Sequence, residues 1–179
     1  DVRKKAAWIK QHCGYAPEDT ELLPYLTGKE FLELIATLYR VNDIGGKVDF
    51  FLDLGGIREK ESELILRYSH GMRQKLSMVA ALIGDPDYII LDEALNGMDP
   101  LALYRIKKYL NEKKEEGKTI LISSHIIPLV QQWCDPVVIL HEGEMLKSVS
   151  QEEISQLEEQ KNMTLEEYFI QLVTTDNRK

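Results

Sequence analysis

The segment that most constrains the fold of this chain is YIILDEALNGMDP, from Tyr88 to Pro100. An apolar run ends here in two adjacent acids, Asp92 and Glu93, and the following turn contains a third acid, Asp99. A short apolar run of this kind is typical of a strand covered on both faces, which favours a parallel sheet flanked by helices. In such sheets ligands bind beyond the carboxyl ends of the strands. The acids therefore mark a candidate ligand site.

Further strands are predicted over Thr119–Ile122 and Val137–Leu140, which are also apolar on both faces. Strands of this type are expected in a sheet that is covered on both sides, with parallel pairing where a helix links them. A turn at residues 142–143 and a strand to about Val149 should follow.

The first strand is predicted over Ala7–Tyr15, ending at Pro17 because proline cannot donate to a sheet ladder. Polar residues then follow three strands: Glu18 after the first, Asp92–Glu93 after the second and His125 after the third. If these strands are neighbours, the polar groups converge on one crevice.

A small helical lobe is predicted over residues 20–66. Thr27 and Glu30 have the spacing of a capping box, so a helix should begin at Thr27. The apolar face of this helix is predicted to contain Phe31, Leu34, Ile35 and Leu38. A second short helix is expected over Val48–Leu54, between two Gly-Gly pairs.

Two longer helices flank the acidic segment. One should run from Ser69 to Ile83 with an apolar side formed by Leu76, Val79, Ala80 and Ile83. The other should begin with Asp99 as N-cap and Pro100 at the first helical position, and continue to about Lys114. A further helix should end near Cys134.

The acidic tail after Gln151 is predicted to be helical, with a second capping box at Thr164 and Glu167. A solvated helical end is the main interpretation of this tail, and regulation by a partner is the alternative.

Net charge argues against nucleic acid as the main partner. The 179 residues contain 30 acids and 22 bases, which gives a net charge of −8, whereas phosphate backbones require basic surfaces. The longest apolar run, Met78–Ile83, is too short to span a bilayer. Because the chain begins at Asp1 without an initiator methionine, we expect it to be part of a longer protein.

Asp92 and Glu93 are predicted to have different roles, because adjacent residues of a strand point to opposite faces. One would hold a hydrated Mg²⁺, and the other would orient or deprotonate an attacking water. The structural alternative is a strand-end turn with helix-capping acids, and for His125 a capping or surface role. A third feature favours the functional interpretation, since Ser69 begins a helix, and a helix N-terminus attracts phosphate.

Taken in order, the segments YAPE, YSHGMRQKL, IILDE, NGMDP and ISSH resemble the ATP-binding cassette (ABC) ATPase domain, in particular bacterial cassettes that drive separate membrane subunits. The resemblance covers nearly the whole chain. It implies an α/β, P-loop NTPase-like parallel sheet core flanked by helices, with a small helical subdomain. The ATPase core would comprise residues 1–19 and 87–149. The helical subdomain would comprise residues 20–86, and residues 150–179 would form a helical tail.

The resemblance also implies roles for individual residues. Asp92 corresponds to the acid that holds Mg²⁺ through water, and Glu93 to the general base. His125 corresponds to the histidine that contacts the γ-phosphate of ATP. The remaining correspondences concern contacts with partners. Glu18 corresponds to a residue that senses Mg²⁺ and meets a transmembrane subunit, and Asp99 to an acid that acts across a dimer. Ser69, Gly71 and Met72 correspond to the family's signature segment, which contacts ATP held by the other protomer.

Four positions depart from the commonest family pattern. Tyr68 stands where the family usually has leucine, and His70 stands where it has the first of two glycines. Ala94 takes the place of a usual proline, and Glu18 takes the place of a usual glutamine. A side chain at residue 70 would crowd the approach of backbone to phosphate or, if protonated, add a donor. These departures bear on the rate of hydrolysis.

The phosphate-binding loop of the family, G-x-x-x-x-G-K-[ST], does not occur in these 179 residues. Gly117-Lys118-Thr119 has Glu112 in place of the first glycine, and it leads into a strand rather than a helix. We expect the loop to lie upstream of Asp1, so that this chain alone binds MgATP weakly or not at all.

The expected partners are transmembrane permease subunits and a second ATPase domain, in a homo- or heterodimer with ATP between the two domains. The expected location is cytoplasmic, on the inner face of the cell membrane. One alternative function is a degenerate, non-catalytic cassette that regulates a membrane subunit, and another is a cassette acting in translation or repair. The transported substrate and the direction of transport do not follow from the sequence.

Overall fold

The computed structural model describes residues 3–18 and 21–176, and the chain divides between Ser123 and Ser124 into two compact units. The first unit contains, in chain order, α1 (Ala6–His12), β1 (Cys13–Ala16), α2 (Gly28–Leu38), α3 (Ile44–Gly55), α4 (His70–Leu82), β2 (Tyr88–Asp92), α5 (Pro100–Glu115) and β3 (Thr119–Ser123). The second contains α6 (Ile127–Trp133), β4 (Val137–His141), β5 (Glu144–Val149), α7 (Gln151–Lys161) and α8 (Leu165–Asp176).

The sheet of the first unit has the order β1-β2-β3, and both pairs of strands are parallel. Because Asp92 pairs with Ser123, and Ala16 with Leu91, all three strands end at the same edge. The close packing of β1 on α4 requires a glycine, since a Cβ atom at Gly14 would lie 2.0 Å from the carbonyl oxygen of Ala81. This packing fixes the sheet edge relative to α4.

The predicted strand over Ala7–Tyr15 is wrong in its first half. Ala6–His12 forms a helix, and the strand begins only at Cys13. The rings of Trp8 and His12 stack with their centroids 4.3 Å apart, which is the i,i+4 geometry of a helix. A short segment of mixed apolar and polar residues does not by itself distinguish a one-sided helix from a strand.

Strand β4 belongs to a different sheet from β1, β2 and β3. It pairs antiparallel with β5, so the expected parallel pairing does not extend to Val137–Leu140. The predicted turn at residues 142–143 explains this: Glu142 and Gly143 both have positive φ angles, 49° and 83°, as a two-residue hairpin requires. The strands are also not fully covered on both faces as expected, because Leu121 of β3 is 61% exposed and Leu140 of β4 is 65% exposed.

The helical lobe contains α2 and α3, and an isolated antiparallel bridge joins Thr27 to Leu64. The buried face of α2 differs from the prediction, since Leu34 and Leu38 are exposed whereas Leu32 and Ala36 are completely buried. By contrast, the predicted apolar side of α4 is buried throughout. The predicted domain boundaries stay predictions, and the one between residues 19 and 20 lies outside the described residues.

Four helix N-termini predicted from their capping residues are confirmed, whereas the helix predicted over Val48–Leu54 begins earlier, at Ile44, and includes Gly45 and Gly46. Thr27 and Glu30 form a reciprocal capping box, and the same pair of hydrogen bonds joins Thr164 and Glu167. Ser69 and Asp99 each accept a hydrogen bond from a backbone N–H three residues later. These caps satisfy N–H groups that have no partner within the helix.

We expect Thr27→Ala to lower the free energy of unfolding by about 1 kcal/mol, the usual cost of losing an N-cap side chain. Urea denaturation at pH 7 would measure the change, with Thr27→Ser as the control that keeps the hydroxyl. An unchanged midpoint in Thr27→Ala would contradict a stabilising cap.

The contribution of this capping box should depend on pH. Hydrogen bonds from the backbone and side chain of Thr27 lower the pKa of Glu30 below its ordinary value of 4.5. The stabilisation is therefore present above about pH 4.5 and is lost as the pH falls through the lowered pKa. Repeating the urea series at pH 7 and pH 3 should show a smaller difference between wild type and Thr27→Ala at pH 3.

Candidate functional site

The site lies at the carboxyl edge of the parallel sheet, around the carboxylate of Asp92. The hydroxyl of Ser123 donates to Oδ1 of Asp92 at 2.5 Å, and the hydroxyl of Tyr15 donates to Oδ2 at 3.2 Å. Partial desolvation and then the hydrogen bond to Asp92 raise the pKa of the half-exposed Tyr15 above its ordinary value of 10.0. Tyr15 therefore stays protonated, and Asp92 has a donor on each oxygen.

Glu93 has a separate set of partners. It follows Asp92, the last residue of β2, and has a φ angle of +51°, in the left-handed region that non-glycine residues rarely adopt. Its backbone N–H donates to the carbonyl oxygen of Ser123 at 3.1 Å and to its hydroxyl at 3.2 Å. Its Oε2 accepts from the amide of Asn96 at 2.9 Å. This left-handed turn, rather than strand alternation, gives the two acids different surroundings.

The beginning of α4 packs against the turn that follows Glu93. A Cβ atom at Gly71 would lie 3.1 Å from the carbonyl oxygen of Gly97, so the two backbones approach closely. The hydroxyl of Ser69 accepts from the N–H of Met72 at 3.2 Å. The beginning of α4, which contains Ser69, Gly71 and Met72, is thus brought to the turn that follows the two acids.

The departure at Tyr68 is accommodated by the helical lobe. Its ring is 3% exposed, and its hydroxyl donates to the carbonyl oxygen of Lys60 at 2.7 Å. A Cβ atom at Gly28 would lie 2.2 Å from that hydroxyl, so the space for the larger ring comes from a glycine in α2. Tyr68 therefore holds α2 beside the segment that carries Ser69.

Asp99 is bound within this chain. Besides capping α5, it forms an ion pair with Lys75 of α4. The hydrogen bonds from Lys75 and from the N–H of Ala102 hold the pKa of the Asp99 carboxyl below its usual value. The structure thus assigns Asp99 a capping and pairing role, and its role across a dimer stays a prediction.

Glu18 is exposed and follows β1 in a loop that α4 holds through Gln74. The side chain of Gln74 is 1% exposed and donates to the carbonyl oxygen of Pro17 at 3.3 Å. The loop that contains Glu18 is therefore directly hydrogen-bonded to α4, the helix that begins at the signature residues.

His125 lies in the second unit, two residues after the end of β3. The preceding Ser124 accepts a hydrogen bond from the N–H of Ile126 at 3.1 Å, which forms a tight turn here. The convergence of His125 with the acids stays a prediction.

The residues at the sheet edge suit a hydrated magnesium ion. In the described residues, no three His, Cys, Asp or Glu side chains form a cluster that could hold a metal. Mg²⁺ usually binds through one or two carboxylates together with substrate phosphates and water. The carboxylate of Asp92 is exposed and accepts hydrogen bonds from two neutral hydroxyl groups, so it fits this kind of site.

Sequence reasoning missed four residues of the site: Tyr15, Gln74, Asn96 and Ser123. Tyr15 and Ser123 carried a usable signal, since each is a hydroxyl residue at or next to the end of a predicted strand. Gln74 and Asn96 carried none, because only the folded chain brings Pro17 and Glu93 within reach of their amides.

A parallel sheet flanked by helices, with paired acids at its carboxyl edge and a capped helix start beside them, defines an α/β protein with a candidate ligand site at the sheet edge. Comparisons with known proteins identify the family. A family model described as ABC transporter matches residues 1–96. The chain therefore belongs to the ABC transporter family.

Three relatives illustrate the match. An uncharacterized ABC transporter ATP-binding protein of Nostoc sp. (strain PCC 7120) is 41% identical over 150 residues, 82% of this chain and 45% of that protein. The ABC transporter ATP-binding protein NatA of Bacillus subtilis is 36% identical over 149 residues, 82% of this chain and 61% of that protein. A solved structure titled as the ATP binding subunit of an ABC transporter has a TM-score of 0.85 and 28% identity, covering 96% of this chain and 72% of that chain.

These comparisons confirm the expected fold class and family. They also show that the chain spans between 45% and 61% of the length of the two curated relatives. In residues 3–18 and 21–176, no helix has the length and apolar character needed to cross a membrane.

Proposed function

We propose that this chain is the catalytic and signature portion of an ATP-hydrolysing subunit that energises an ABC transporter. The observation that carries the proposal is the Asp92–Glu93 pair: one carboxylate is held by two hydroxyl groups, and the next residue is held in a left-handed turn. Left-handed backbone at a non-glycine residue costs about 1–3 kcal/mol and occurs preferentially at functional sites.

Asp92, together with Glu18, would hold Mg²⁺, and the ion would supply positive charge to the phosphates of ATP. Glu93 would accept a proton from the attacking water on its carboxylate. The amide of Asn96 donates to Oε2 of Glu93 and would orient that carboxylate.

His125 would donate a hydrogen bond to the γ-phosphate. We expect His125→Ala in the complete gene product to reduce turnover strongly, because a donor to the transferred phosphoryl group is lost. Steady-state phosphate release would measure the change, with His12→Ala, on the exposed helix α1, as the control.

The signature residues Ser69, Gly71 and Met72 would contact the nucleotide held by a second ATPase domain, with Asp99 at the same interface. The other partners would be transmembrane permease subunits, contacted near Glu18, and the protein would act at the cytoplasmic face of the membrane. The family and the names of its relatives support this assignment, since both NatA and the Nostoc protein are described as ABC transporter ATP-binding proteins.

We expect the 179-residue chain alone to bind MgATP weakly and not to hydrolyse it, because its sequence has no loop to hold the β- and γ-phosphates. Calorimetric titration of MgATP into this chain and into the complete gene product would test this. Tight binding to the 179-residue chain would contradict the expectation. No binding to either protein would favour the alternative of a non-catalytic module that regulates a membrane subunit.

A further inference from the structure

Two hydroxyl groups, from strands on either side of β2, hold the carboxylate of Asp92. We propose that Tyr15 and Ser123 are positioning residues that fix this carboxylate for a Mg²⁺–nucleotide complex. The proposal rests on the function proposed above, and it assigns roles to two residues for which sequence motifs gave none.

The hydrogen bonds leave room for a cation. Each oxygen of an ionised carboxylate has about two lone-pair sites. Oδ1 of Asp92 uses one for Ser123 and Oδ2 uses one for Tyr15. One site on each oxygen therefore remains for the water shell of a metal ion. Because both donors are neutral, they fix the orientation of the carboxylate without adding a positive charge that would repel the ion.

Ser123 also connects the two acids. Its hydroxyl donates to Asp92 at 2.5 Å and accepts from the N–H of Glu93 at 3.2 Å. The parallel register places Ser123 directly opposite Asp92, so this arrangement needs a short hydroxyl side chain at that position. Threonine would retain the hydroxyl, whereas alanine would remove both bonds.

Tyr15 reaches Asp92 from the other neighbour of β2. The register aligns Tyr15 with Ile90, two residues before Asp92, and the long side chain spans that offset. Its ring is 53% exposed, so loss of the hydroxyl in Tyr15→Phe should leave the fold intact. Tyr15→Phe thus tests the hydroxyl even if a change at Ser123 affects folding.

The test uses Mn²⁺ as a paramagnetic probe of the cation site. Electron paramagnetic resonance would measure the affinity of the complete gene product for Mn²⁺ in the presence of ATP. Partners that hold a metal-binding carboxylate are worth about 10- to 100-fold in metal affinity. We therefore expect Ser123→Ala to weaken Mn²⁺ binding about 10-fold and Tyr15→Phe by a smaller factor, with near wild-type affinity in Ser123→Thr. The matched controls, at exposed positions, are Ser62→Ala and Tyr25→Phe.

Asp92→Asn separates failure of this proposal from failure of the proposed function. If Asp92→Asn weakens Mn²⁺ binding but Ser123→Ala and Tyr15→Phe do not, the positioning role is wrong and the metal site stands. If the wild-type protein binds no Mn²⁺ with ATP, or if Asp92→Asn does not change Mn²⁺ binding, then both the positioning role and the proposed function are wrong. In steady-state assays of ATP hydrolysis, the positioning role predicts that Ser123→Ala raises the Mg²⁺ concentration needed for half-maximal activity. Excess Mg²⁺ should restore the activity. An unchanged Mg²⁺ dependence would overturn the positioning role.

Discussion

Glu93→Gln is expected to reduce ATP hydrolysis by the complete gene product about 10²- to 10⁴-fold, the range that a positioned general base contributes. The amide cannot take the proton of the attacking water. It is nevertheless nearly the same shape as the carboxylate, and its oxygen can still accept the bond from Asn96. The backbone N–H bonds that hold residue 93 to Ser123 are also unaffected, so ATP binding should be retained.

Phosphate release under steady-state conditions would measure the loss, with nucleotide affinity measured in parallel. Because ATP remains bound without turnover, we also expect the variant to form a more stable dimer with ATP than wild type does, detectable by size-exclusion chromatography. Glu59→Gln, at an exposed position of the helical lobe, is the matched control. Wild-type hydrolysis by Glu93→Gln would show that Glu93 is not the general base.

Phe51→Ala is expected to lower the free energy of unfolding by about 3–5 kcal/mol, the cost of removing a buried phenyl ring. The ring of Phe51 is 1% exposed and meets Tyr109 of α5 edge-on, with centroids 5.7 Å apart. It therefore joins the helical lobe to the helix that follows the acidic turn. Removing it would leave a cavity between α3 and α5.

The neighbouring Phe50 provides the control for this change. Its ring is 49% exposed, so Phe50→Ala should cost about 1 kcal/mol or less. Urea denaturation of both variants would give the difference, and Phe51→Leu should lie between them if Phe51→Ala is too unstable to purify. Equal destabilisation by Phe50→Ala and Phe51→Ala would contradict the assigned packing.

Four helix N-termini were predictable from the sequence because capping is local, whereas the start of α3 was missed because Asp43 caps it from a left-handed conformation. The bond between Thr27 and Glu30 spans three residues, and so does the bond between Asp99 and Ala102. The family motifs likewise indicated the fold, and they marked the strand end at which the two acids lie. By contrast, the buried face of α2 was misassigned, because neighbouring helices decide which of several apolar residues turn inward.

Long-range pairing explains what the sequence did not reveal. The bond between Tyr15 and Asp92 joins residues 77 positions apart, and that between Ser123 and Asp92 joins residues 31 apart. The left-handed backbone of Glu93 was equally hidden, because glutamate has no preference for that conformation. It is held there by the end of β3, an element that lies far away in the sequence.

The central claim, that Asp92 and Glu93 belong to an ATP-hydrolysing enzyme, is tested most directly by assaying phosphate release from MgATP by the complete gene product and its Asp92→Asn variant. We predict Mg²⁺-dependent release by the wild-type protein, reduced to background in Asp92→Asn. Release by the wild type that does not exceed that of Asp92→Asn would contradict the claim and would favour a non-catalytic cassette.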